Sequence, residues 1–280
     1  MARAVIVVPC FNEAARLDAR RFLSFVAQDR STNFLFVNDG SRDCTLELLE
    51  GLHHANPFRF SFLHLARNRG KGEAIRQGML LALDSAPAYV GYWDADLATP
   101  LDEIPEFCRV LDGRPEIQLV MGTRLPLLGR KIQRRPIRRL LGRLFARTAS
   151  LVLGVPLYDS QCGAKLFRAT DEIRSVFERP LLSRWIIDVE ILARLKSLRR
   201  SGGESLVRAL YELPLQRWRD VDGSKLRTRD FFVAIVELAE IYWAYLLPGR
   251  KYTAPSASRG LSSAPVASVH NGEGRRRTAA

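Results

Sequence analysis

The chain has few of the residues that most often carry nucleophilic or zinc chemistry. Its four histidines, His53, His54, His64 and His270, are scattered, and His64 falls inside an apolar run. No Ser–His–Asp or Cys–His constellation can be drawn from them, which sets aside the usual nucleophilic hydrolases. The four cysteines, Cys10, Cys44, Cys108 and Cys162, form no C-x-x-C pair and have no histidine at ligand spacing. That excludes a zinc finger and a disulfide framework, and reads as free thiols in a reducing compartment. No window of about 18 residues is free of charge, so no membrane-spanning helix is expected. The nearest candidate, Phe231–Gly249, contains Glu237 and Glu240. The apolar run near the start is too short for a signal peptide and is stopped by Asn12 and Glu13. Any membrane contact is therefore expected to be peripheral. There are no internal repeats.

Acid is scarce as well. Lys and Arg number 43 against 30 Asp and Glu, a formal net charge of +13 over 280 residues. Such an excess suggests an anionic partner: nucleic acid, an anionic membrane surface or a phosphorylated substrate. Arg124 to Arg147 holds nine basic residues and no acid. Aromatics are nearly absent from this stretch, which argues against stacking on single-stranded nucleic acid. Its arginines alternate with Leu, Ile and Phe instead, as in an interfacial helix or a cradle for phosphate. A solvated helix face is the plainer alternative.

What is present is a core. Hydrophobic residues make up 47% of the chain, ample for a globular domain. Short apolar runs recur at 4–9, 34–39, 60–65, 89–94 and 119–124, without clean alternation. This suits strands buried on both faces of a mostly parallel sheet. Helical patterns fill 13–27, 43–55, 71–86 and 101–111, with Asp43 or Ser41 as N-cap of the second. The spacing predicts a βαβ series. Further on, 138–154 reads as an amphipathic helix, 184–195 as a helix, 211–218 as strand-like and 230–247 as a helix. Residues 250–280, rich in Ser, Ala, Pro and Gly, read as disordered.

Open α/β sheets concentrate function at the carboxyl ends of their strands. Here those ends carry Asn12 and Glu13, then Asp39, then Arg67 to Gly72, then Asp94 and Asp96, then Arg124. Five polar endings in series imply one crevice along one sheet edge. Asp94-Ala-Asp96 can present two hard oxygen ligands to Mg²⁺ or Mn²⁺, leaving other positions to water and substrate phosphates. Turn or N-cap acids are the alternative. Asp39 can accept hydrogen bonds from a base or ribose edge, or simply form a turn with Gly40. "NRGKGEAIRQG" (68–78) is not a Walker A motif, since Leu65 stands where the first glycine belongs and Gly72 follows Lys71. It still sets two glycines and a lysine at a helix N-terminus, which favours an anion.

In this order, "VIVVPCFNE", "FVNDGSRDCT", "NRGKGEAIRQGM" and "YWDADLATP" resemble the nucleotide-sugar domain of family 2 glycosyltransferases, with the GT-A fold. "MGTR", the basic helix, "DSQCGAKLF", "RWIIDVEIL" and "DGSKL" are similar to the dolichyl-phosphate β-glucosyltransferase branch and its bacterial polyprenyl-phosphate relatives. The resemblance spans roughly residues 3–248. It implies an α/β GT-A catalytic domain over 1–225, with a mostly parallel central sheet flanked by helices. An amphipathic, membrane-associated helix over 226–249 and the tail would follow.

Carried over by residue, the resemblance places Pro9, Phe11, Asn12 and Glu13 around the nucleotide and Asp39 on the base. Lys71 and Gly72 would lie near the nucleotide. Asp94 would face the ribose and diphosphate, and Asp96, with Asp94, would hold the metal. Arg124 and one of Arg134, Arg135 or Arg139, Arg135 foremost, would meet the acceptor phosphate or sugar diphosphate. Gln161 and Lys165 are further acceptor-side candidates. Asp188 could be a base toward a hydroxyl acceptor, but a charge pairing with Arg184 or Arg194 is the favoured reading.

The implied reaction is inverting transfer of a sugar, glucose foremost, from a UDP-sugar to a polyprenyl or dolichyl phosphate, with Mg²⁺ or Mn²⁺. GDP-mannose as donor, or a soluble or cell-wall acceptor, is the alternative. A non-catalytic basic protein is the alternative of another class, and no nucleic-acid partner is expected. Mannosyl relatives commonly carry Gln where this chain has Ala98, which favours the glucosyl branch. Eukaryotic glucosyl members often have an N-terminal anchor. None is read here, so peripheral attachment through the amphipathic helices is expected, on the cytoplasmic, inner face of a membrane.

Overall fold

The computed structural model describes residues 2–134, 136–202, 205–221, 228–247 and 267–270. Arg135 and the "DGSKL" segment, residues 222–226, lie outside the described residues. The expected series is present: β1 (Ala4–Cys10), α1 (Ala19–Gln28), β2 (Thr32–Asp39), α2 (Thr45–Ala55), β3 (Phe60–Leu65), α3 (Lys71–Asp84), β4 (Tyr89–Trp93), α4 (Ile104–Gly113) and β5 (Leu119–Thr123). Beyond it come β6 (Lys131–Gln133), α5 (Pro136–Leu153), β7 (Ala164–Arg168), α6 (Asp171–Glu178), α7 (Ile187–Gly202), α8 (Leu206–Ala209), β8 (Leu210–Pro214), β9 (Arg217–Arg219) and α9 (Thr228–Ile241). A π-helical turn, Tyr242–Leu246, extends α9. The tail, expected to be disordered, places Ala267–His270 as β10.

The main sheet runs β10-β3-β2-β1-β4-β7-β5-β8, and β6 pairs with β9 separately. β1, β2, β3 and β4 are mutually parallel, whereas β7 is antiparallel to β4 and β5. Successive side chains of a strand face opposite sides, and both sides are buried. Val5 and Val7 of β1, with Leu35 and Val37 of β2, face a core shared with α3, α5, α6, α7 and α9. Ile6 and Val8, with Phe34 and Phe36, face the core of α1, α2 and α4. This explains the uninterrupted apolar runs: no face of these strands meets water.

Three boundaries differ from the sequence reading. The first helix begins at Ala19, not near 13. The Glu13 backbone carbonyl accepts from the amides of Arg16 and Leu17 in a turn, and Asp18 caps the helix. Neither Ser41 nor Asp43 is the N-cap of α2. Cys44 takes that position without a side-chain bond, Asp43 accepts from the amides of Ala14 and Thr45, and the Ser41 hydroxyl receives the Asn12 amide. Residues 101–103 form a 3-10 turn before α4.

The amphipathic helix expected over 226–249 is described over Thr228–Leu246, and one of its faces joins the core. Ala234, Leu238, Ile241, Tyr245 and Leu246 are buried with α5 and α7. Glu237 accepts hydrogen bonds from the Ser183 hydroxyl and the amides of Arg184, Trp185 and Ile186. A buried carboxylate is stable when donors surround it like this. It closes the turn that leads into α7. Beside it, Arg194 is bound by Glu190 and by the carbonyls of Val176, Arg179 and Pro180.

Candidate active site

The carboxyl ends of β1 and β2 are laced by backbone-to-side-chain bonds. Asn12 takes a left-handed conformation, with φ 52°. Its amide donates to Ser41 and its side-chain oxygen accepts from the Arg42 amide. The Glu13 amide donates to the Thr45 hydroxyl, and the Glu13 carboxylate pairs with Arg16. Pro9 and Phe11 are half-buried beside them.

Asp39 is buried, and it accepts the amides of Arg69 and Gly70 at 2.7 and 2.8 Å. Burial raises its pKa, with the two amides opposing. It therefore holds the β3–α3 loop over the sheet edge. Gly40 is required here: φ is +64°, and a Cβ would fall 2.5 Å from the backbone of Arg67 and Asn68. Lys71 opens α3. Gly72 packs into the turn before α7, where a Cβ would lie 2.8 Å from Ile187, so its smallness serves helix packing.

Asp94 and Asp96 leave the end of β4, both partly exposed. The Lys71 ammonium lies 2.5 Å from Asp94 Oδ1. Gly163 lies so close to the Asp94 carboxylate that a side chain there would collide with it. Asp96 accepts from the Ala98 amide at 3.1 Å. Burial, and then the neighbouring Asp94, raise its pKa from the usual aspartate value. These are two hard oxygen donors at one mouth, and Ala98 adds none. Among the described residues no group of three His, Cys, Asp or Glu could hold a metal. The donor set fits a magnesium- or manganese-like ion that completes its shell with substrate oxygens and water, once Lys71 yields Asp94 Oδ1.

The opposite wall is cationic. Arg124, at the end of β5, is clamped by Asp159, Nε to Oδ2 at 2.5 Å and Nη2 to Oδ1 at 2.6 Å. Its guanidinium stacks 5.1 Å from the Trp218 ring centroid. Burial opposes the charge on Asp159, but Arg124 outweighs it and lowers the pKa to about 2. Arg134 lies near this pair, and burial together with Arg124 lowers its pKa to about 10. Arg139 is exposed on α5. The Gln161 amide donates to Asp159 at 3.4 Å.

Two expectations require correction. Lys165 is not available to an acceptor. It is 0% exposed, and its ammonium donates to the Cys162 carbonyl at 2.8 Å and pairs with Asp188 at 2.8 Å. Asp188 does not pair with Arg184 or Arg194. It takes Lys165 and the Tyr92 hydroxyl, the latter at 2.5 Å, because α7 packs directly against β4 and β7. Residues that sequence reasoning missed are Asp159, Tyr92, Trp218 and Glu212, which receives the amides of Tyr158 and Asp159. Asp159 lies inside the "DSQCGAK" motif, which was the available signal.

Residues 5–174 match the profile of Glycosyl transferase family 2. A dolichyl-phosphate beta-glucosyltransferase of Dictyostelium discoideum is 31% identical over 86% of this chain and 74% of its own length. One from Trichomonas vaginalis is 28% identical over 84% of this chain and 69% of its own length. Among solved structures, glucosyl-3-phosphoglycerate synthase from Mycobacterium tuberculosis, in complex with Mn²⁺, UDP and glucosyl-3-phosphoglycerate, aligns with TM-score 0.60. It has 19% identity and covers 86% of this chain and 80% of that one. No helix among the described residues is long and apolar enough to cross a membrane. The strand-end acids, the GT-A sheet and these likenesses agree: the chain belongs to glycosyltransferase family 2.

Proposed function

We propose that the protein transfers glucose from UDP-glucose to a polyprenyl or dolichyl phosphate at a membrane surface, with inversion. One observation carries the reading: two carboxylates suited to a diphosphate-bound cation face a buried, preoriented arginine across one sheet edge. The names and coverage of the dolichyl-phosphate relatives support the acceptor class, and those of the UDP-bound fold neighbours support the donor.

In this reading Asp94 and Asp96 would hold Mg²⁺ or Mn²⁺, which would supply charge neutralisation for the departing diphosphate. Pro9, Phe11, Asn12, Glu13 and Asp39 shape the nucleotide pocket. Lys71, released from Asp94, lies at the N-terminus of α3 beside the diphosphate. Arg124, with Arg134 and Arg139, receives the acceptor phosphate; Arg135 is the further candidate by sequence. A phosphate monoester is already largely ionised at neutral pH, so no strong base is required. That agrees with Asp188 being occupied by Lys165 and Tyr92. What the residues supply is positioning of one anion against another.

Membrane contact is supported by the outer face of α5, where Ile137, Leu140 and Leu144 are exposed among arginines, and by Val236 and Trp243 at the C-terminal helix. The test is incubation with a polyprenyl phosphate and labelled UDP- and GDP-sugars, followed by lipid extraction. Label from UDP-glucose in the lipid is expected. Label only from GDP-mannose, or only in water-soluble product, would overturn the reading.

A further inference from the structure

Behind the Asp96 loop lies a cleft of about 550 Å³ that the proposed reaction does not use. Its walls come from α1, the 3-10 turn and the β6–β9 pair. Five basic residues line it, Arg20, Arg21, Lys131, Arg217 and Arg219, against one acid, Asp102. Arg217 pairs with Asp102, and Arg21 pairs with Asp18. Arg20, Lys131 and Arg219 have no acidic partner among the described residues. Three unpaired cations around one concavity repel one another unless an anion joins them.

The floor is apolar, with Leu97, Leu101 and Trp218 among its residues. Two of its walls are shared with the transfer site. Leu97 and Ala98 continue the loop whose Asp96 accepts the Ala98 amide, and the Arg219 amide donates to the Ala98 carbonyl at 3.3 Å. Trp218 meets the cleft and also stacks on Arg124.

We propose that this cleft is a second oxyanion site, taking a phosphate ester whose carbon portion rests on the apolar floor. The ester comes either from a free phosphorylated metabolite or from a lipid head group. Arg20, Lys131 and Arg219 hold the phosphate, as guanidinium and ammonium groups do when preplaced around a charged oxygen. Occupancy is transmitted to the metal loop through Ala98 and to Arg124 through Trp218.

The test titrates the full chain with glycerol 3-phosphate, and separately with dihexanoyl phosphatidate below its micelle concentration. Calorimetry is run with chelator present so that the donor site stays silent. Saturable binding of glycerol 3-phosphate assigns the site to free metabolites; binding of the phosphatidate alone assigns it to lipid. In either case Arg20→Ala/Lys131→Ala is expected to weaken binding at least tenfold while leaving UDP–Mn²⁺ binding within twofold. The exposed pair Arg30→Ala/Arg208→Ala, which removes the same charge elsewhere, leaves binding intact. Absence of saturable binding by both probes, unaltered binding in the cleft variant, or equal weakening in both variants overturns the proposal. The proposed reaction is read separately, by label transfer to polyprenyl phosphate, so the cleft proposal and that reading can fail independently.

Discussion

The two walls of the site are built in different ways. The acidic wall is assembled from neighbours in sequence: Asp94 and Asp96 are two residues apart, and the loops that frame them are short strand–helix turns. The cationic wall is assembled across distance: Arg124 meets Asp159 from 35 residues away, and Asp159 is held in turn by Glu212, 53 residues further on. The acidic wall is also more open: the Asp94 side chain is 35% exposed, against 11% for Arg124 and 8% for Asp159. In the proposed reaction the acidic wall would exchange a nucleotide and a cation at each turnover and must admit both. The cationic wall would orient a single phosphate and gain from being fixed before the substrate arrives.

The comparison breaks most severely at Asp96. Asp96→Asn is expected to lower transfer about 10²–10³-fold, the scale of losing one preorganised electrostatic group, and to abolish Mn²⁺-dependent UDP binding with little change in thermal stability. Calorimetry with and without metal checks this. A fully active variant would sink the metal assignment. On the other wall, Asp159→Ala leaves Arg124 buried and unpaired, so both stability and transfer are expected to fall. Loss of a buried partner costs about 3–5 kcal/mol, readable by denaturant unfolding. Arg124→Ala tests the acceptor role: it should raise the KM for lipid phosphate while UDP affinity stays near wild type.

A smaller effect is expected from acid. Burial and Asp94 raise the pKa of Asp96, so it takes up a proton at higher pH than an exposed aspartate. Metal-dependent UDP affinity should therefore decline on acidification before the fold does. Asp159 behaves oppositely. Its folded pKa of about 2 lies below the ordinary aspartate value of 3.8. Its contribution to stability, roughly 2 kcal/mol at about 1.4 kcal/mol per unit, is present above the unfolded value and lost only as pH falls through about 2. Parallel titrations of UDP binding and melting temperature separate the two walls. The mildest change is expected from Leu140→Asp/Leu144→Asp on α5: weaker sedimentation with anionic vesicles, and unchanged UDP binding.

The same asymmetry decides what could be read from the sequence. The first five strands, their carboxyl-end polar groups and the DxD pair are short-range signals, and periodicity plus motif spacing exposed them. The partners of Arg124, Lys165 and Asp188 are not. Asp188 looked like a helix-surface acid paired with Arg184 or Arg194, because nearness along the chain is visible in a sequence and the packing of α7 on β4 is not. Lys165 looked like a ligand for an acceptor because burial of a lysine is rare and must be seen in three dimensions. Glu237 looked like an acid interrupting an apolar helix, yet it is satisfied by a turn some 50 residues earlier.

That last contact has a mechanical consequence. The helix whose outer face carries Val236 and Trp243 grips, through one carboxylate, the turn that launches α7, and α7 supplies the Asp188 that underpins the end of β4. On the proposed reading, in which a membrane meets this exposed face, a force or tilt applied to the helix would be in series with the floor of the acidic wall. Shortening the protein before residue 237 would remove the Glu237 contacts that hold the turn into α7, and with them the support of that floor.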